Sequence, residues 1–153
     1  MFTVDEVCEK LREGGKKITP QRRLIYQALE GKTNHPTAEK IYDEVRAIIP
    51  DISLATVYKT LRELVDSHYL LELKIDGESS RFDPRTDQHS HLKCIGTTLN
   101  AKGEAVTCLR LEDISVTFPQ LQVPENDQRG YLIISNEVVF FGYCPDCQAR
   151  MKN

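Results

Sequence analysis

The sequence predicts an α+β chain, with a helical N-terminal half and a β-rich C-terminal half. Three observations lead there. Apolar residues recur at helical spacing as far as Val65. Helix-capping residues stand before those runs, at Thr19, Thr37 and Ser53. After "VDSH" the apolar period shortens to that of strands, in "YLLELKI", "SSRFD" and "HSHLKCI".

Each element has a local cause. Val4, Val7, Cys8 and Leu11 form the apolar stripe of a first helix, which "GG" at 14–15 ends. Thr19 caps a second helix with Pro20 at its first position, and Leu24, Ile25 and Leu29 supply its apolar face. Thr37 caps "AEKIYDEVRAI", which Pro50 closes off. Ser53 caps a fourth helix, "LATVYKTLRELVDSH", with Leu54, Val57, Leu61 and Leu64 facing inward. The next two strands are joined by "DGE", in which Asp76-Gly77 is a hairpin turn signal. Helices followed by such a hairpin have the order of a winged helix-turn-helix, predicted over residues 1–83. Residues 84–153 form a second unit. There "HSHLKCI", "EAVTCLRL" and "YLIISNEVVFFGY" read as strands, and "EDISVTFPQLQVPENDQRG" as a short helix or strand plus loop.

Bulk properties exclude several classes. Hydrophobic residues make up 40% of the 153 and charged residues 28%, a soluble globular balance. No apolar run is long enough to span a bilayer, and the N-terminus lacks a signal-peptide pattern. The expected location is cytoplasmic, without membrane association, where five cysteines are thiols or metal ligands rather than disulfides. The net charge of −3 means that any nucleic-acid contact must come from a local cluster.

Such clusters exist. On the fourth helix Thr56, Tyr58, Lys59 and Arg62 project from the surface opposite the apolar stripe, with Ser53 at the helix start. Arg and Lys can reach guanine acceptors or phosphates, and a tyrosine ring can meet a thymine methyl. "GKKITPQRR" places Lys17 and Arg22 around a helix N-terminus, which favours phosphate. Taken alone, the helix also reads as an amphipathic helix with a solvated face.

The metal-ligating residues gather in "RFDPRTDQHSHLKC". On a strand His89 and His91 share one face, and Cys94 falls on the other. The two imidazoles form a chelating pair, with Asp83 just upstream and His35 in a loop able to fold back. "CPDC" is half of a zinc knuckle, so Cys94, Cys144 and Cys147 are candidate Zn(II) ligands. A matching C-x-x-C would need cysteine at 97, where Thr97 stands. Cys108 could supply a fourth ligand, but it stands on what reads as a separate strand and is expected to be a small buried hydrophobe, and Cys8 a core residue. A metallohydrolase is disfavoured: no H-E-x-x-H occurs, and no carboxylate stands beside the histidines as general base.

The segments "ITPQR", "HPTAEKIYDEV", "ISLATVYKTLRELVDSHYL", "SSRFDPRT", "HSHLKC" and "GYCPDC" resemble the ferric uptake regulator family of metal-dependent repressors, across essentially the whole chain. The resemblance implies a homodimer on a double-stranded DNA operator, with an N-terminal winged helix and a C-terminal α/β dimerisation domain. It implies no enzymatic activity. By position, His35, Asp83, His89 and His91 match hinge ligands for Fe(II) or Mn(II). Tyr58 and Lys59 match residues reading the major groove, and Lys17 one near the minor groove. Cys94, Cys144 and Cys147 match structural-zinc cysteines. The aspartate of "RFD" resembles the peroxide-sensing branch. The alternatives are an iron- or zinc-uptake repressor, or a divergent member with impaired metal sensing. The implied fifth hinge ligand falls near Thr107, with Glu104 or water as substitutes.

Overall fold

Thr19, Thr37 and Ser53 each open a helix, and each hydroxyl accepts a bond from the backbone N–H three residues on. Thr3 does the same for the first helix and completes a reciprocal capping box with Glu6. The four helices are α1 (Val4–Glu13), α2 (Pro20–Leu29), α3 (Ala38–Arg46) and α4 (Leu54–Asp66). The computed structural model describes residues 1–75, 77–118 and 121–152. The chain forms two compact units, Met1–Asp87 and Gln88–Asn153.

In the first unit the apolar stripes meet. Val7, Cys8, Leu11, Ile25, Leu29, Ile41, Val45, Val57, Leu61 and Leu64 are buried in one core. Leu54 is only half-buried, because it sits at the first turn of α4. Strand β1 (Leu71–Leu73) pairs antiparallel with β2 (Arg81–Asp83), Leu71 opposite Asp83, which is the expected wing. Asp76 of the expected turn lies outside the described residues, while Gly77 takes the left-handed φ of +77° that such turns require.

The second unit centres on β3 (Ser90–Cys94). It runs antiparallel to β6 (Leu111–Ile114) and parallel to β7 (Val139–Gly142), in the order β6-β3-β7. A separate hairpin joins β4 (Thr97–Leu99) to β5 (Ala105–Thr107), and α5 (Pro145–Met151) carries the C-x-x-C.

Two strand expectations are corrected. "EAVTCLRL" is not one strand: it breaks between Thr107 and Leu111 into β5 and β6, which pair with different partners. Of "YLIISNEVVFFGY", only Val139–Gly142 is a strand among the described residues. Leu132 and Ile134 are 88% and 87% exposed. The intervening stretch contributes β6 and a 3₁₀ turn at Glu125–Asp127. Among the described residues, no helix is long and apolar enough to cross a membrane.

Candidate metal centres and the exposed helix face

The loop before α3 turns His35 inward. Its φ of +46° is a left-handed conformation that non-glycine residues adopt rarely, so the surroundings must hold it. They do: Phe82 N–H donates to the Pro36 carbonyl at 2.9 Å, and Arg81 Nη1 to the His35 carbonyl at 3.1 Å. The loop is thereby stitched to β2. His35 Nε2 comes to 3.6 Å from Asp83 Oδ2, both side chains buried. Asp83 Oδ1 accepts from the backbone N–H of Arg85 at 2.8 Å, which leaves Oδ2 toward the imidazole.

In the second unit, strand alternation brings His89 and His91 to one face as expected. Their Nε2 atoms are 3.1 Å apart. Asp113 Oδ1 lies 3.4 Å from His89 Nε2 and 3.6 Å from His91 Nε2. Asp113 arrives there because it is the direct cross-strand partner of His91 on β6. Donors bound to one ion at about 2.0–2.2 Å stand roughly 2.8–3.6 Å apart, between octahedral and tetrahedral angles. All three separations fall in that range. Two buried imidazoles and a carboxylate, converging on one point, fit a divalent first-row ion.

The expected position of the fifth ligand, near Thr107 or at Glu104, is corrected here. Thr107 is exposed on β5, and Glu104 Oε2 accepts from Asn100 Nδ2 at 2.8 Å within the hairpin. Asp113 is the carboxylate that meets the histidines.

The second cluster also differs from expectation. Cys94, Cys108, Cys144 and Cys147 are all free thiols, with their sulfurs within 4.8 Å of one another. Cys108 is therefore a member of the cluster, not an isolated core residue. The hairpin explains it: Thr97 pairs with Thr107, and Cys108 N–H donates to the Gly96 carbonyl at 2.8 Å. Cys108 thus arrives from the return strand beside the position where a second C-x-x-C would have supplied its sulfur. Cys108 Sγ lies 3.9 Å from Cys144 Sγ. Sulfurs on one tetrahedral zinc at about 2.3 Å stand about 3.8 Å apart, whereas a disulfide needs about 2.05 Å. The donor set fits zinc.

The thiols are not equivalent. Burial acts to raise Cys94, but backbone N–H groups of Cys144 and Gly96 donate into its sulfur at 3.2 and 3.4 Å and hold it down at about 6. Burial and the neighbouring Cys144 push Cys147 up to about 12. Burial also raises Cys108.

On α4 the residues read as DNA contacts divide. Tyr58, Lys59 and Arg62 are exposed. Tyr58 Oη–H donates to Glu39 Oε1 at 2.6 Å, fixing the ring across to α3. Ser53 and Thr56 are engaged at the helix start, their hydroxyls 2.8 Å apart. Lys17 is exposed, whereas Arg22 is held inside the unit, ion-paired to Glu63 and donating to the Lys17 carbonyl at 2.7 Å.

The sequence profile of the ferric uptake regulator family matches residues 13–103. The peroxide-responsive repressor PerR of Staphylococcus aureus is 32% identical over 150 residues, covering 96% of this chain and 93% of that protein. The chain belongs to the ferric uptake regulator family. The solved ferric uptake regulator Fur of Helicobacter pylori, described with three functional metal binding sites, superposes with a TM-score of 0.71 at 20% identity, over 96% of this chain and 95% of that one. PerR of Streptococcus pyogenes, studied for peroxide sensing and gene regulation, gives 0.52 at 32% identity, over 97% and 95%.

For this ferric uptake regulator family member, sequence reasoning missed Asp113 and ranked Cys108 as a buried hydrophobe ahead of a fourth ligand. A signal existed for each. The "LED" run puts carboxylates where a strand pairing with "SHLKC" would carry them. "TTLNAKGEAVTC" places Cys108 across a hairpin turn from the "CIG" segment.

Proposed function

We propose that this protein is a metal-dependent, DNA-binding transcriptional repressor of the bacterial type that responds to peroxide. The observation that carries the reading is the convergence of His89 Nε2, His91 Nε2 and Asp113 Oδ1 at separations suited to one ion. The resemblance of "HPTAEKIYDEV" and "SSRFDPRT" to the family adds His35 and Asp83 to the ligands. Carboxylates mixed with imidazoles suit Fe(II) or Mn(II). Bound Fe(II) would supply the one-electron chemistry through which peroxide oxidises a nearby group. The residues themselves do the rest: they hold the ion, and in holding it they couple the winged helix to the second unit. Loss of one histidine as ligand would relax that coupling. The 32% identity to PerR of Staphylococcus aureus and the aspartate at position 83 favour peroxide over other inputs.

DNA contact falls to the exposed Tyr58, Lys59 and Arg62 of α4, with Lys17 reaching backbone phosphate. The protein acts as a cytoplasmic homodimer without enzymatic turnover. The exposed apolar run Tyr131–Ile134 is the surface a second copy would cover. Zn(II) on Cys94, Cys108, Cys144 and Cys147 would hold the second unit together, since those cysteines form its buried cluster.

The test is peroxide treatment of protein loaded with Fe(II) or with Mn(II), followed by peptide mass spectrometry and operator binding. An added oxygen on His35 or His89 in the iron form alone, with release of DNA, is expected. Unmodified histidines, with DNA binding that follows iron supply, would instead make the protein an iron-uptake repressor.

A further inference from the structure

The sulfurs of the four-cysteine cluster are held by unequal means. Cys94 Sγ receives two main-chain donors, the N–H groups of Cys144 and Gly96. Cys147 Sγ instead receives a side chain. Arg150, one turn further along α5, donates Nη2–H to it at 3.1 Å and Nε–H to the Thr97 carbonyl at 3.2 Å. A guanidinium is a rigid planar fork, so two anchors fix it against the sulfur. On the other flank, Arg110 is braced by two carboxylates, Glu112 at 2.7 Å and Asp146 at 3.1 Å. Cys147 and Arg150 also line an open cavity with Thr97, Leu99, Tyr143 and Met151. A small electrophile entering there meets that sulfur and that guanidinium.

We propose that Arg150 is a positioning residue for the zinc–thiolate centre, holding Cys147 Sγ in its ligating place and dispersing its charge so that zinc stays bound when peroxide reaches the cavity. The inference rests on the zinc reading of the four cysteines. Four thiolates around Zn(II) form a dianion, and a hydrogen bond into a coordinated sulfur withdraws the electron density an electrophile would attack. The thiol of Cys147 donates to the Thr97 carbonyl at 3.4 Å, a bond that ends when the sulfur is deprotonated. Arg150 then bridges sulfur and carbonyl alone. The consequence is a division of labour: the cysteine centre stays inert to the oxidant to which the histidine centre responds.

The experiment uses the zinc-loaded full chain. Wild type, Arg150→Met, Arg150→Lys and, as a surface-charge control, Lys102→Met are treated with hydrogen peroxide while a chromophoric chelator records released zinc. In parallel, iodoacetamide labels sulfur, the thiolate displacing iodide, and mass spectrometry orders the labelled cysteines. Loss of an outer partner of this kind costs about 10- to 100-fold in metal retention. Arg150→Met should therefore release zinc faster by that factor, with Cys147 labelled first. Arg150→Lys should fall between, and Lys102→Met should match wild type. Release from Arg150→Met at the wild-type rate, or equal early labelling of Cys94 and Cys147, overturns the proposal. Should Arg150→Met fail to fold, Arg150→Gln, which keeps a donor but no charge, is read by the same two outcomes. If wild type itself takes up no zinc, the zinc reading falls; if wild type holds zinc and the variants match it, only the role of Arg150 falls.

Discussion

Replacing Cys108 by serine separates a metal ligand from a packed hydrophobe. The sulfur of Cys108 sits 3.9 Å from that of Cys144, the spacing of two ligands on one zinc. Structural zinc is worth about 10–16 kcal/mol of apparent folding free energy, so one ligand of four carries about 2.5–4 kcal/mol. That is roughly 100- to 1000-fold in zinc retention. A merely buried cysteine would lose about 1 kcal/mol on the same change and keep the metal. The assay is zinc content after gel filtration, then competition with a chromophoric chelator at neutral pH, with Tm measured alongside. Cys8→Ser is the matched control, since Cys8 is also buried but lies in the helical unit. Cys108→Ser should lose zinc and lower Tm, and excess chelator should bring it and wild type to the same Tm. Cys8→Ser should lower Tm and keep zinc. Thr97→Cys should leave zinc retention unchanged, because the fourth ligand is already supplied. If Cys108→Ser holds zinc like wild type, the relocated-ligand reasoning is wrong.

Other perturbations test neighbouring claims. Gly96→Ala would place a Cβ 2.7 Å from both Cβ and Sγ of Cys147. If Cys147 holds zinc, its sulfur cannot yield cheaply, so calorimetry should show a loss of about 1–3 kcal/mol together with weaker zinc retention. Lys59→Ala should lower operator affinity by about 1–3 kcal/mol in a gel-shift titration if Lys59 meets a base. Lys17→Ala should weaken all sequences alike and reduce the salt slope by about 1. In metal-free protein at neutral pH, iodoacetamide should reach Cys94 first, because its thiol is held down at about 6 while Cys147 is pushed up to about 12. Labelling of Cys94 should fade as pH drops through 6, since only the thiolate attacks. Equal labelling of both at neutral pH would contradict the main-chain donation into Cys94.

What the sequence determined by itself is what short-range interactions decide. Caps at Thr19, Thr37 and Ser53 act on N–H groups three residues away, so helix starts were legible. The common face of His89 and His91 follows from the two-residue period of any strand, wherever that strand sits. The C-x-x-C motif and the winged-helix order are equally local. The tertiary structure alone decided what lies opposite. Asp113 joins the histidines only because β6, not β5, pairs with β3, and a break at 108–110 within one apolar run sets that choice. Cys108 replaces the sulfur missing at Thr97 only because a hairpin fixes its register against Gly96. Arg22 is spent on Glu63, 41 residues away, and no local pattern could show it. Caps and periods are written in neighbouring residues. Register between strands depends on the packing of the whole unit, and both candidate metal centres depend on register.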